Sequence, residues 1–448
     1  MMKILTKPMI YLSLAIVLLT GSSLAFAGSE LMTLLKVLRD NGTITAEQYE
    51  RVIAEAQTTQ QQANVEKAEL QAKLDKATDV EVTVKGGIKV KTKDGGFSTK
   101  LGGRLQMDAA YVGEDGPEQG DGTDIRRARL SLSGKMYNVW GFKLENDFTK
   151  SGLAGITDAY ITYNGQKNHT YKIGHFRDSI ILQELNSDND TQFMERALLS
   201  AFGQSRHMGI GNTYTVKNWT SAISVFGDKA SVDSKTSDEG WGVVGRLTAT
   251  PYRQGNDLVH VGIASDYRKL RSGTGALKFS TSPESHLGGL KLVDTGTIAG
   301  AESFQVSGLE AAFVKGGLNG QAEYVKTGVK RNGMSDVDFD GWYAQMGFVL
   351  TGEARPYKGN KFGRINPKSI FGQGGTGAWE VVARYSTIDL TDKDIVGGEQ
   401  DNLSVGVNWY ATPTIRFMAN YVKVLKVDGG ANDNVEPDIF QTRVQWAF

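Results

Sequence analysis

The chain has 448 residues, with 50 Lys+Arg against 50 Asp+Glu, no cysteine, 54 glycines and 8 prolines. Zero net charge argues against a nucleic-acid binder, whose surface carries a basic field, and the lack of cysteine excludes disulfide frameworks, zinc–thiolate and iron–sulfur sites and cysteine nucleophiles. Much glycine with little proline fits strands joined by turns, not collagen or proline-rich linkers.

Residues 1–27 read as a signal peptide: Lys3 and Lys7, the apolar run Ile10 to Thr20, then Ala25-Phe26-Ala27 as a small-x-small cleavage site. The alternative, a permanent membrane anchor, needs a longer apolar run. Cleavage before Gly28 removes two lysines and no acid, leaving 48 basic residues against 50 acidic. No later stretch of about 18 apolar residues occurs, so a membrane location implies a barrel. Residues 28–79 are rich in Glu, Gln, Ala, Lys and Leu and are expected to be a periplasmic helical or coiled-coil segment. Leu31, Leu34, Leu35 and Leu38 share a face, Asn41-Gly42 breaks it, and Thr45-Ala46-Glu47-Gln48 restarts it with a capping-box pattern. A second helix then runs through Val52, Ile53 and Ala56, and Ala63, Lys67, Leu70, Leu74 and Ala77 form a short heptad seam, too brief to separate an oligomerising coil from a solvated helix.

From Val80 the pattern changes to alternation. Short strands at Val80, Val82 and Val84 and at Ile88 and Val90 precede sixteen longer segments near 97–111, 124–137, 140–149, 156–163, 170–176, 207–216, 219–227, 240–249, 257–267, 303–313, 318–326, 338–351, 378–387, 402–410, 415–424 and 439–448. An even number suits a bacterial barrel. Brief connections (Asn138-Val139, Lys217-Asn218, Lys315-Gly316-Gly317, Ala411 to Thr414) are interleaved with longer ones near 112–123, 228–239, 388–401 and 425–438, the rhythm of periplasmic turns and external loops. Leu403, Val405, Val407 and Trp409 oppose Ser404, Gly406 and Asn408, and Phe440, Val444, Trp446 and Phe448 oppose Gln441, Arg443 and Gln445. Trp140, Trp219, Trp379, Trp409 and Trp446 lie near segment ends, where interfacial girdles belong. The expected fold is all-β: a 16-stranded antiparallel transmembrane β-barrel over 80–448 in the outer membrane, contacting its lipid and lipopolysaccharide.

Three connections exceed what a turn needs: 177–206, 268–302 and 352–377. In the first, Gln192 to Phe202 is apolar enough for a short helix carrying Glu195 and Arg196, packed in the lumen. The third falls on the short-turn side, where Lys358, Lys361, Arg364 and Lys368 would make a basic periplasmic mouth.

Lys100-Leu101-Gly102-Gly103-Arg104-Leu105-Gln106, Arg126-Arg127-Ala128-Arg129-Leu130, Thr351-Gly352-Glu353-Ala354-Arg355-Pro356-Tyr357 and Gly406-Val407-Asn408-Trp409-Tyr410 resemble the phosphate-selective porins of Gram-negative outer membranes. The resemblance runs from about Val84 to Phe448. It implies a homotrimer of sixteen-stranded barrels whose inward loops and arginines guide small anions, with no cofactor. Carried over, Arg104, Arg126 and Arg127 belong to the lining and vestibule and Arg196 to the inserted third loop; Arg129 joins the expected pore lining from its place on an inward strand face. The second inserted loop departs: where the family's phosphate-preferring members cluster arginines, this chain reads Lys278-Phe279-Ser280-Thr281-Ser282-Pro283-Glu284-Ser285-His286, and Lys278 alone keeps a positive charge.

The strand faces assigned inward carry ten cations (Lys100, Arg104, Arg127, Arg129, Lys135, Lys143, Arg246, Arg384, Arg416, Arg443) against seven acids (Asp108, Glu145, Asp147, Asp158, Asp266, Glu323, Glu380). Loop 177–206 is net −2 and loop 268–302 net +2. That balance predicts a modest anion preference, with a general porin as the alternative. Other signals are weaker. Asp336-Val337-Asp338-Phe339-Asp340-Gly341 starts like a calcium loop but has Gly347 where Glu is needed. The histidines at 169, 175, 207, 260 and 286 have no metal-ligand spacing. A barrel hydrolase would use His260 as base, yet alternation turns it inward with no identifiable serine. A structural tether using 28–79 would have a blocked lumen.

Overall fold

A computed structural model describes residues 33, 36–77, 80–84, 86–113, 115–116, 120–177, 180–227, 238–271 and 277–448. The expected signal segment, with Leu31, Leu34 and Leu35, lies outside them. The chain divides into two units, Met1–Val80 and Glu81–Phe448.

In the first unit, helix α1 spans Ala46–Ala77. Thr45 and Gln48 close it as a reciprocal cap, Gln48 N donating to Thr45 Oγ1 at 3.2 Å and Thr45 N to Gln48 Oε1 at 2.9 Å. The two helical stretches expected after Thr45 are one, because no glycine or proline interrupts 46–77. Among the described residues no helix is long and apolar enough to cross a membrane.

The second unit is the barrel. Its strands are β1 Ser98–Val112, β2 Gly122–Met136, β3 Trp140–Asp147, β4 Ile156–Tyr163, β5 His169–Phe176, β6 His207–Thr215, β7 Trp219–Phe226, β8 Trp241–Gln254, β9 Asp257–Lys269, β10 Ala301–Lys315, β11 Leu318–Arg331, β12 Val337–Val349, β13 Ala378–Asp392, β14 Ile395–Tyr410, β15 Ile415–Asp428 and β16 Asp438–Ala447. Each pairs antiparallel with the next, and β16 closes on β1 through Ile439↔Val112 to Ala447↔Arg104. The short strand Ile88–Thr92 adds to β1 by Ile88↔Leu101.

The barrel is inside-out relative to a soluble protein. Leu403, Val405 and Val407 are exposed on the outer face, while Asn402, Ser404 and Asn408 are fully buried within. A ring of aromatics marks the periplasmic interface, with Trp379 stacked on Trp409 at 5.4 Å, Trp409 on Phe417 at 5.1 Å and Trp140 against Tyr163 at 4.8 Å. The Gly102-Gly103 pair has a steric reason. Gly103 exchanges backbone hydrogen bonds with the terminal Phe448 at 3.0 and 3.1 Å, and a Cβ there would meet the Phe448 ring at 2.8 Å and the Arg129 carbonyl at 2.9 Å.

Several strands run past their expected ends, among them Leu318–Arg331 and Ile415–Asp428, and two of the differences have a clear physical reason. The connection placed at 388–401 is strand, turning at Lys393-Asp394, because Ile388, Leu390 and Ile395 keep the inward alternation above the girdle. Strand β8 continues past Ala249 through Pro251, since a register shift between Ala249 and Tyr252 accommodates the missing amide.

Candidate functional site

The loop 177–206 folds into the lumen because it is apolar on one side and hydrogen-bonded by the wall on the other. Ile180, Ile181, Leu198, Leu199 and Phe202 pack with wall residues Val244, Val306, Val325 and Phe339. Its main-chain oxygens are taken by inward side chains: Gln106 Nε2 to Asp188 O at 3.1 Å, Arg416 Nη1 to Thr191 O at 2.7 Å, Asn408 Nδ2 to Gln192 O at 2.9 Å and Arg443 Nη1 to Met194 O at 2.7 Å. Those external partners replace helical ones. The helix expected over Gln192 to Phe202 is therefore reduced to a 3-10 turn at Leu198–Phe202, with Glu195 and Arg196 in irregular chain, and a separate helical turn forms at Leu182–Leu185.

Two carboxylates of this loop gather five of the six expected site residues. Asp188 lies 2.7 Å from Arg196 Nη2, 3.1 Å from Arg129 Nη1, 3.2 Å from Arg127 Nε and 3.5 Å from Arg104 Nη1. Glu195 lies 2.9 Å from Arg126 Nε and 2.9 Å from Arg443 Nη2. Behind them, Arg104 meets Glu145 at 3.1 Å, Arg129 meets Asp147 at 2.7 Å and Arg443 meets Asp108 at 2.6 Å. Burial pushes both loop carboxyls up, but the guanidiniums of Arg127, Arg196, Arg129 and Arg104 around Asp188, and of Arg126, Arg127 and Arg443 around Glu195, outweigh it and hold both well below the usual range. Lys278 is not brought to this cluster. Its exposed ammonium pairs with Asp294 of its own loop at 2.6 Å.

The turn between β12 and β13 also enters the lumen, which the sequence reading did not anticipate. Buried Arg355 donates from Nη1 to Gln192 Oε1 at 2.7 Å and Gln321 Oε1 at 3.0 Å, and rests on the Phe362 ring at 4.3 Å. Phe362 N donates to Asn186 Oδ1 at 2.9 Å, and Tyr357 hydroxyl meets His260 Nδ1 at 2.6 Å. The expected basic mouth is thereby split: Lys361 lines the inner cavity and Arg364 is half-buried, while Lys358 and Lys368 are exposed and line neither lumen cavity beside loop 177–206. His260, fully buried, also meets Glu310 at 2.8 Å, so its described partners latch this turn to the wall. Among the described residues no three His, Asp or Glu groups converge as a metal would need.

Two of the water-accessible cavities lie beside loop 177–206. The inner one, about 300 Å³, is lined by Arg104, Lys143, Lys172, Arg177, Arg196, Arg206, Arg246 and Lys361 against Glu145, Asp158, Glu184 and Asp188. That is eight cations to four carboxylates. The outer one, about 290 Å³, holds Arg126, Arg127, Arg196 and Lys291 against Glu184, Glu195 and Glu284, with Ser280, Thr281, Ser282, Ser285 and His286. Glu184 and Arg196, 3.3 Å apart, line both and mark where the two meet.

The family model described as phosphate-selective porin O and P matches residues 99–448. Porin O of Pseudomonas aeruginosa is 31% identical over 420 residues, covering 83% of this chain and 93% of porin O. An uncharacterized protein of Caulobacter vibrioides is 31% identical over 357 residues, 76% of this chain and 71% of that protein. Two solved barrels share the fold at low identity: OprB of Pseudomonas putida, with a TM-score of 0.51 at 11% identity over 79% of this chain and 95% of its own, and in-vitro folded OmpT of Vibrio cholerae, 0.51 at 10% over 79% and 98%. With the match running from β1 to the last residue, the chain belongs to the phosphate-selective porin O and P family and is an outer-membrane porin.

Proposed function

We propose that the chain is a passive diffusion channel, not an enzyme, whose lumen favours small anions, phosphate first among them. The carrying observation is the inner cavity, where eight cationic side chains face four carboxylates and the surplus field raises local anion concentration. Arg364 supports an oxyanion as cargo: its Nε and Nη1 are buried without a hydrogen-bond partner among the described residues. The arginines 104, 126, 127, 129 and 196 supply field more than open forks, since each already meets a carboxylate. Lys278 contributes little, being exposed and paired.

The wall β3–β7 supports a trimer. Four of its five strands have only eight residues. Tilted about 40°, eight residues rise about 20 Å, short of the roughly 25 Å apolar band. A second copy covers the shortfall, and α1 would meet its counterparts as a short coiled coil; the rest of the outer face meets lipid and lipopolysaccharide. Chloride conductance in a planar bilayer, with phosphate titrated into both chambers, tests the function. Saturable block at low phosphate supports an oxyanion site. Conductance without block or ion preference supports a general porin, and zero conductance a tether.

A further inference from the structure

A second anion-shaped site lies on the outer half of the lumen wall, and a carboxylate of the chain itself fills it. Glu284, in the loop between β9 and β10, is 3% exposed and has φ +56°, a conformation that few residues other than glycine adopt. Its carboxylate accepts Arg384 Nε at 3.1 Å together with Arg384 Nη2, Ser386 Oγ at 2.5 Å and Ser404 Oγ at 2.5 Å. Every donor comes from the barrel. Arg384 and Ser404 are direct partners across β13 and β14, and Ser386 is two residues along the same face.

Arg384 is held independently of Glu284, and both serines are fixed by their places in paired strands. The Arg384 guanidinium lies on the Phe193 ring at 4.1 Å, and its Nη1 donates to the Glu195 carbonyl at 3.1 Å. The wall therefore presents a guanidinium edge and two hydroxyls, all aimed at one pair of oxygens, whether or not the loop supplies them. Glu284 also lines the outer cavity, whereas Arg384, Ser386 and Ser404 are buried behind it, so a solute arriving there meets these donors only by taking the place of the Glu284 carboxylate.

We propose that Arg384, Ser386 and Ser404 form a carboxylate receptor on the permeation path, and that Glu284 is its tethered occupant, displaceable by a solute carboxylate. The inference rests on the lumen being a conducting path. A tethered ligand competes at a high effective concentration, so the wild-type site takes free carboxylates weakly and a chain lacking the Glu284 carboxylate takes them well. The left-handed backbone at Glu284 works against its own seating, which makes displacement easier.

The test is block of chloride current by propionate, with propionamide as the neutral control, in wild type, Glu284→Ala and Glu284→Ala/Arg384→Gln. The expected result is a half-blocking propionate concentration at least tenfold lower in Glu284→Ala than in wild type, restored to the wild-type value or higher by Arg384→Gln. Equal half-block in wild type and Glu284→Ala, or block that persists without Arg384, overturns the proposal. If wild type carries no current, the channel reading fails separately. The receptor is then read by propionate's shift of the melting temperature, present in Glu284→Ala and absent in the double variant. Should Glu284→Ala not assemble, Glu284→Gln, which keeps the side chain's length, is measured in the same way.

Discussion

Asp188→Asn is the sharpest probe of the arginine cluster. The carboxylate sits within 3.5 Å of four guanidiniums, those of Arg104, Arg127, Arg129 and Arg196. Asparagine keeps the shape and an acceptor oxygen but removes one negative charge from the wall of the inner cavity, beside Arg196, which lines both cavities. For an ion passing about 7 Å away, one unit charge is worth about 0.6 kcal/mol in water, screened to about 0.25 kcal/mol at 0.15 M salt. Anions gain what cations lose, so the anion-to-cation permeability ratio should rise about twofold at 0.15 M and about fivefold at 0.01 M. Reversal potentials under a KCl gradient at both salts measure it. A ratio that stays constant, or moves toward cations, refutes the reasoning, and a shift independent of salt points to a displaced loop instead.

Arg355→Ala leaves Gln192 and Gln321 without their shared donor in a buried place, a loss of about 2–3 kcal/mol; single-channel conductance should rise as the turn between β12 and β13 loosens, and unchanged conductance would show that this turn does not restrict the pore. Lys278→Ala removes only an exposed pair, worth at most about 1 kcal/mol, so phosphate block and melting temperature should match wild type, and weakened block would return Lys278 to the path. Asp188 and Glu195 have folded pKa values held below their unfolded ones, so their stabilisation is complete above the ordinary carboxylate range, about pH 4–4.5, and is lost only as pH falls through the depressed values. Loop-closure events in single-channel records should therefore be constant from pH 7 to about pH 4.5, and a transition inside that window attributable to either residue, by its amide variant, contradicts the assignment.

The strands were legible because each carries its own answer. In β14 alternate residues choose lipid or lumen without reference to any distant residue, and a barrel repeats that local rule around its circumference. Where the rule was interrupted locally, the reading stopped short, as at Pro251, where a bulge lets β8 continue. At 388–401 polar outer residues looked like loop, although the inward Ile388, Leu390 and Ile395 held the period. The inserted turn had a comparable clue that went unused: Tyr357, Phe362 and Ile365 are too apolar for a solvent-facing mouth, and all three are buried.

Pairing is a different matter, because nothing in the spacing of Arg127 and Asp188 indicates that they meet. Counting charges by strand and loop treated the acidic loop 177–206 as a term that subtracts from the cationic wall. The structure makes it specific: Asp188 and Glu195 are placed where the wall arginines converge, and the neutralisation is concentrated there. The cationic excess lies deeper, in the inner cavity, where Lys143 and Arg206 share the Asp158 carboxylate and Lys172 and Lys361 line the same wall. The field that draws anions is therefore strongest below the arginine cluster that most resembles the family's motif. A substitution in Arg126-Arg127-Ala128-Arg129 acts first on how the loop is held, and only through that on which ions pass.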